Sequence, residues 1–90
     1  MAHTRRQLER IVRGFSNHRR IQLLDLLQRQ PEMSVKEIAR EVKSDFRTIS
    51  EHLRRLAIAG LIVKRNQAQS VRHAVTDRGR TALTFLRTVE

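Results

Sequence analysis

The sequence predicts a mainly α-helical chain with a small β-hairpin, in the order α-α-α-turn-α-β-β-α. Three observations carry this. Up to residue 59 the apolar residues recur at helical spacing, three and four apart. After Gly60 the period changes to two, the period of strands. Between Met33 and Gly60 the chain reads as two short helices joined by a turn, Lys43-Ser44-Asp45.

Each element has its own signals. Residues 1 to 4 read as loose. Thr4 to Phe15 reads as the first helix, with Leu8, Ile11, Val12 and Phe15 on one face and Arg5, Arg6, Arg10 and Arg13 on the other. Asn17 is suited to cap a second helix from His18 to about Arg29. Ile21, Leu23, Leu24, Leu26 and Leu27 make that helix apolar over more than one face, as in a scaffold covered on two sides. Pro31 stops it. Glu32 and Met33 then form a few extended residues able to join a small sheet.

Ser34-Val35-Lys36-Glu37 is a capping box, so the third helix starts there. Asp45 can accept from the free amides of the fourth helix and suits its positive end. That helix buries Ile49, Leu53 and Leu56, while Arg47, Glu51, Arg54 and Ile58 lie opposite, with Ser50 beside them. Gly60 suits the left-handed position that ends a helix. Leu61 to Arg65 and Val71 to Val75 read as strands, joined by a polar loop, Asn66 to Ser70, without glycine. The expectation is a hairpin with a longer loop, not a two-residue turn. Thr76-Asp77 caps a last helix to about Val89, with Ala82, Leu83, Leu86 and Val89 apolar and Phe85 at the edge. This order is a winged helix-turn-helix. One domain is expected over 1–90: an N-terminal helix (1–15), a helical core (16–60) holding the helix-turn-helix (34–59), a wing (61–75) and a C-terminal helix (76–90).

Composition narrows the function. The chain of 90 residues has 19 Lys plus Arg against 9 Asp plus Glu, a formal charge of +10, so a polyanionic partner is favoured. A membrane surface is a poorer match, because Trp and Tyr are absent. No apolar run has spanning length, and no signal peptide is read at the start. A cytoplasmic, nucleoid-associated protein is expected. With no Cys there is no thiolate site and no disulfide. The histidines are His3, His18, His52 and His73, and none forms a local zinc pattern. His18 and His52 are read as partly buried and His73 as lining the hairpin, with a site assembled across the fold left open. Ser50 and His52 point in different directions on one helix, so no triad with Asp45 follows. The expectation is no enzyme, no cofactor and no metal.

Several stretches resemble ArsR-type transcriptional regulators. They are Ser16 to Leu27, with its Arg-Ile-x-Leu-Leu run, then Ser34 to Ala39, then Thr48 to Leu56 followed by Ala59-Gly60-Leu61-Ile62. Val75 to Arg80 resembles a strand-to-helix junction shared with MarR- and PadR-type proteins. The resemblance covers about residues 15 to 80. It implies a homodimeric, sequence-specific transcriptional regulator of double-stranded DNA. There are departures. Lys43 stands where many relatives have Gly, so the turn is either less tight or holds Lys43 at positive φ. Ser44 replaces an apolar residue, Ala68 a wing-tip Gly, and Arg72 and His73 a tyrosine pair. The metal-sensing cysteines, and histidines on the last helix, are missing.

The site residues follow. Arg47, near the start of the fourth helix, is the expected base reader. Thr48 and Ser50 could bind phosphate or base, and Arg54 and Arg55 phosphate. Lys43 and Ser44 in the turn are expected to contact DNA, and Lys64, Arg65 and Arg72 on the wing to lie on the backbone or in the minor groove. Glu51 either accepts from a cytosine amino group or pairs with Arg47 or Arg55. Leu8, Ile11, Val12 and Phe15, with Leu83, Phe85, Leu86 and Val89, offer a dimer interface. The alternative is a DNA-architectural or basal transcription-associated protein with little sequence preference. The mixed Arg47, Ser50, Glu51 face favours reading, since non-specific binding needs only cations.

Overall fold

The computed structural model describes residues 2–90. Its elements are α1 (Arg5–Phe15), α2 (His18–Arg29), α3 (Val35–Val42), α4 (Phe46–Ile58), β1 (Ile62–Gln67), β2 (Ser70–Val75) and α5 (Asp77–Thr88). This is the winged helix-turn-helix order that the sequence predicts. Of the residues read as loose, Met1 lies outside the described ones, and Thr4 is fixed. Thr4 caps α1 in a reciprocal box with Gln7, so it precedes the helix rather than opening it. Asn17 accepts from the amides of Arg19 and Arg20. Ser34 and Glu37 form the expected box, with bonds of 2.8 and 3.2 Å. Thr76 accepts from the amide of Gly79 at the start of α5.

The core sits around α2, which touches α1, α4, α5 and β2. Leu23, Leu24, Leu26 and Leu27 are buried. Against them lie Ile38 of α3, Ile49, Leu53 and Leu56 of α4, and Leu61. Each such side chain contributes about 1.5–3 kcal/mol relative to exposure. Phe15 and Leu83 join this core. Both are offered by the sequence as dimer contacts, yet the chain's own interior takes them up. Ile11 and Leu86 pack partly against the same core. Leu8, Val12, Phe85 and Val89 remain exposed.

Gly60 holds φ +76 after α4, as its position in the sequence requires. Gly79 has a different role. A Cβ there would collide with the Leu61 carbonyl and the Val75 side chain, so the first turn of α5 lies directly on the start of the hairpin.

The hairpin corrects one expectation. The strands pair as far as Gln67 with Ser70, leaving only Ala68-Gln69 as the turn. Ala68 takes φ +54, the backbone conformation usually left to glycine. The ladder therefore closes tightly without one. At the other end of the hairpin, Met33 pairs with His73. The His73 amide donates to the Met33 carbonyl at 3.1 Å, and the Glu32 amide donates to the His73 carbonyl at 2.9 Å. The extended residues before α3 do join the sheet. His73 is 1% exposed, and its Nδ1–H donates to the Met33 carbonyl at 2.8 Å. Burial, outweighing that hydrogen bond, holds its pKa below the usual 6.5. His18, read from the sequence as partly buried, is exposed because it opens α2 on the solvent side.

Candidate nucleic-acid interface

The turn between α3 and α4 is tight. Lys43 caps α3 at φ +55, ψ +50, and the Ser44 amide donates to the Ala39 carbonyl at 3.0 Å. Of the two readings of this turn, the structure has the left-handed lysine. Asp45 then starts α4. Its carboxylate accepts from the Thr48 hydroxyl at 2.9 Å and from the Thr48 amide at 3.2 Å. These bonds hold the Asp45 carboxyl below its usual range. The hydroxyl proton of Thr48 is thereby committed, and only acceptor capacity remains for a ligand.

The buried side of α4 is Ile49, Leu53 and Leu56, each at 0% exposure. Arg47, Glu51, Arg54 and Ile58 are exposed, and Ser50 is half-buried. Glu51 is held by two arginines. Arg54 Nε and Nη2 each donate to it at 3.0 Å, and Arg55 Nε donates at 2.9 Å. The Arg54 fork, with Arg55 beside it, brings the Glu51 pKa down to about 2. Of the pairings foreseen, Arg55 is made and Arg47 is not. Arg54, three residues away, takes the larger share. Among the described residues no carboxylate lies within ion-pair distance of Lys43, Arg47 or Lys64.

The wing arginines reach toward the start of α3 rather than standing unpaired. Arg65 and Arg72 are opposite each other on the two strands. Like charges so placed repel, and two carboxylates near α3 offset them. Arg65 Nη1 donates to Glu32 at 3.0 Å. Arg72 Nη1 donates to the Glu32 carbonyl at 3.2 Å and to Glu37 at 2.7 Å. Arg72 is thus a brace between wing and helix-turn-helix, not a free wing cation. Residues 35 apart in sequence meet here, and no local pattern announces it.

Sequence reasoning also missed Phe46. It lies three residues before Ile49, so its spacing assigns it to the edge of the buried stripe. It is nevertheless 58% exposed, because the first turn of α4 projects past the core. Among the described residues no three His, Cys, Asp or Glu side chains gather as a metal site. No described helix is long and apolar enough to cross a membrane.

The family model described as HVO_A0114 matches residues 16–78. The chain belongs to the HVO_A0114 family. Solved structures extend the likeness of this family member over nearly its whole length. A possible transcriptional regulatory protein from Mycobacterium bovis is 31% identical, with 93% of this chain and 92% of that one covered and a TM-score of 0.79. A solution structure from M. bovis, described as the homodimeric winged helix-turn-helix DNA-binding domain of a possible ArsR-family regulator, is 25% identical. It covers 99% of this chain and 88% of its own, with a TM-score of 0.84. Reduced HlyU from Vibrio cholerae is 25% identical over 92% of this chain and 87% of its own, with a TM-score of 0.78. The ArsR-type likeness read from the sequence is borne out, and these relatives of the HVO_A0114 family member include transcriptional regulators. No curated protein matches the chain.

Proposed function

We propose that this family member is a homodimeric, sequence-specific regulator of transcription that binds double-stranded DNA inside the cell, beside the nucleoid. Residues 1–90 act as one domain. One observation carries the reading: the first turn of α4 presents exposed Phe46 and unpaired Arg47, while its opposite face is wholly buried. A guanidinium in the major groove can take guanine O6 and N7 together, and a phenyl ring can rest on a thymine methyl. Arg54 and Arg55 lie farther along and suit phosphates, as do Lys43, Ser44 and Lys64. Thr48 and Ser50 border the same groove. Glu51 acts as the partner of Arg54 and Arg55 rather than as a cytosine reader. Arg65 and Arg72 hold the wing in place.

Self-association uses the exposed Leu8, Val12, Phe85 and Val89, with Ile11 and Leu86 at its margin. The M. bovis structure described as homodimeric supports this reading. Two copies would set their recognition helices about one DNA turn apart, roughly 34–36 Å.

Selection of bound sequences from a random DNA pool tests the proposal. An enriched palindrome is expected. Tight, salt-sensitive binding without enrichment would instead mark an architectural protein.

A further inference from the structure

A cleft of about 800 Å³ opens between α1, the C-terminal part of α4 and the start of α5. That volume suits a small-molecule ligand. Its lining is unusual for its charge. Arg10 and Arg13 come from α1, Arg20 from α2, Arg54 and Arg55 from α4, and Arg78 from α5. No acidic residue lines it. Two carboxylates reach these six guanidinium groups from outside, Glu9 at Arg13 and Glu51 at Arg54 and Arg55.

We propose that this cleft binds a small phosphorylated anion, as an effector site separate from the DNA-reading end of α4. Three features support it. First, Arg20 Nε is buried and has no hydrogen-bond partner among the described residues, although its Nη2 donates to the Arg13 carbonyl at 3.1 Å. A phosphate oxygen would satisfy it, and guanidinium forks match phosphate geometry. Second, the positive charge is crowded. Burial and then the charge of Arg55 lower the pKa of Arg20, and burial followed by Arg20 and Arg19 lowers that of His52 behind it. An anion would relieve this crowding. Third, the cleft is displaced from the base-reading turn. Arg55 lies eight residues beyond Arg47, about 12 Å along the helix at its usual rise. Ile11 and Ile58 give the cleft an apolar wall, and Ile58 has no part in the DNA face proposed above.

The cleft shares Arg54 and Arg55 with the backbone contacts proposed above but not the base-reading turn, so its test uses Arg10 and Ile58, which have no part in the DNA reading, to keep the two apart. Inorganic pyrophosphate is titrated into the full chain by calorimetry at physiological salt, without DNA. Saturable binding is expected. Arg10→Gln removes one lining charge at an exposed position, and Ile58→Glu puts a carboxylate at the rim. Each should weaken pyrophosphate by about fivefold, the equivalent of about 1 kcal/mol. Arg47→Ala should leave pyrophosphate binding unchanged, and Arg10→Gln should leave affinity for duplex DNA unchanged. Circular dichroism melts check that both cleft variants fold. Unsaturable uptake, or equal losses from Arg47→Ala and Arg10→Gln, would overturn the site. So would a loss of duplex affinity in Arg10→Gln as large as its loss of pyrophosphate, since the anion held there would then be the DNA backbone.

Discussion

Arg72 on β2 donates to Glu37 in the first turn of α3 at 2.7 Å, and so fastens the wing to the helix-turn-helix. Glu37 meanwhile accepts from the Ser34 amide, and these bonds hold its carboxyl below its usual range. One carboxylate therefore both caps a helix and anchors a hairpin. Arg72→Ala should lower the urea midpoint, and the same change in a Glu37→Ala background should lower it less, because the partner is already gone. Equal losses in both backgrounds would mean that the two residues act independently.

Reading and holding should separate at the start of α4. Arg47→Ala should cost about 1–3 kcal/mol on the selected site and much less on scrambled duplex. Phe46 is tested through the DNA instead. Replacing thymine by uracil in the site removes only the methyl group. It should weaken the wild-type chain by about 1 kcal/mol and leave Phe46→Ala unaffected. A uracil penalty that persists in Phe46→Ala assigns the methyl contact to another residue.

Helices α1 and α5 divide their apolar residues between the core and the exposed surface proposed for self-association. Leu83 is 6% exposed and Phe85 is 55% exposed. Leu83→Ala should cost about 2–5 kcal/mol in unfolding experiments. Phe85→Asp, with Val12→Asp, should leave a folded chain that sediments as a monomer where the wild type is a dimer. A wild-type monomer at tens of micromolar concentration in sedimentation equilibrium would refute the dimer.

Protons should destabilise the fold in the histidine range. Burial is the largest cause that lowers the pKa of both His52 and His73 from 6.5. As the pH falls through 6.5, the unfolded chain takes up protons before the folded one does, so stability drops. Above that range the contribution is constant. Glu37, Asp45 and Glu51 have lowered pKa values and act in a separate window, below 4.5. Urea midpoints measured from about pH 8 to about pH 5 should fall, with a shallower fall in His73→Gln. A midpoint that rises on acidification contradicts this assignment.

Lys43 pays a conformational cost at φ +55. Lys43→Gly should raise stability by up to about 1 kcal/mol, the relief of left-handed strain less the entropy of a freer unfolded chain. The same change should weaken DNA, because it removes a cation from the turn. Unchanged DNA affinity would take Lys43 out of the interface.

What was legible in the sequence was local. Ser34 with Glu37, Asp45, Gly60 and Thr76 sit at fixed offsets from the apolar stripes they punctuate, so their roles could be read from spacing. The scaffold role of α2 followed from leucines on more than one face. What was not legible depended on distance. Arg72 meets Glu37 only once the hairpin folds back on α3. Phe46 has core spacing, and only the end of the core exposes it. Phe15 and Leu83 look like their exposed neighbours until the packing of α1 and α5 assigns them inward. Ala68 violated a rule that holds on average, because a closing ladder can hold one alanine in a glycine conformation.

The wing is clamped at its root and unsupported at its tip. Met33 and Glu32 bond to His73, and Arg65 and Arg72 tie the middle of the hairpin to Glu32 and Glu37. Beyond them Ala68 and Gln69 project as the end of a cantilever. A load placed there would be borne by the ties at the base, next to the segment Glu32 to Ser34 where α3 begins.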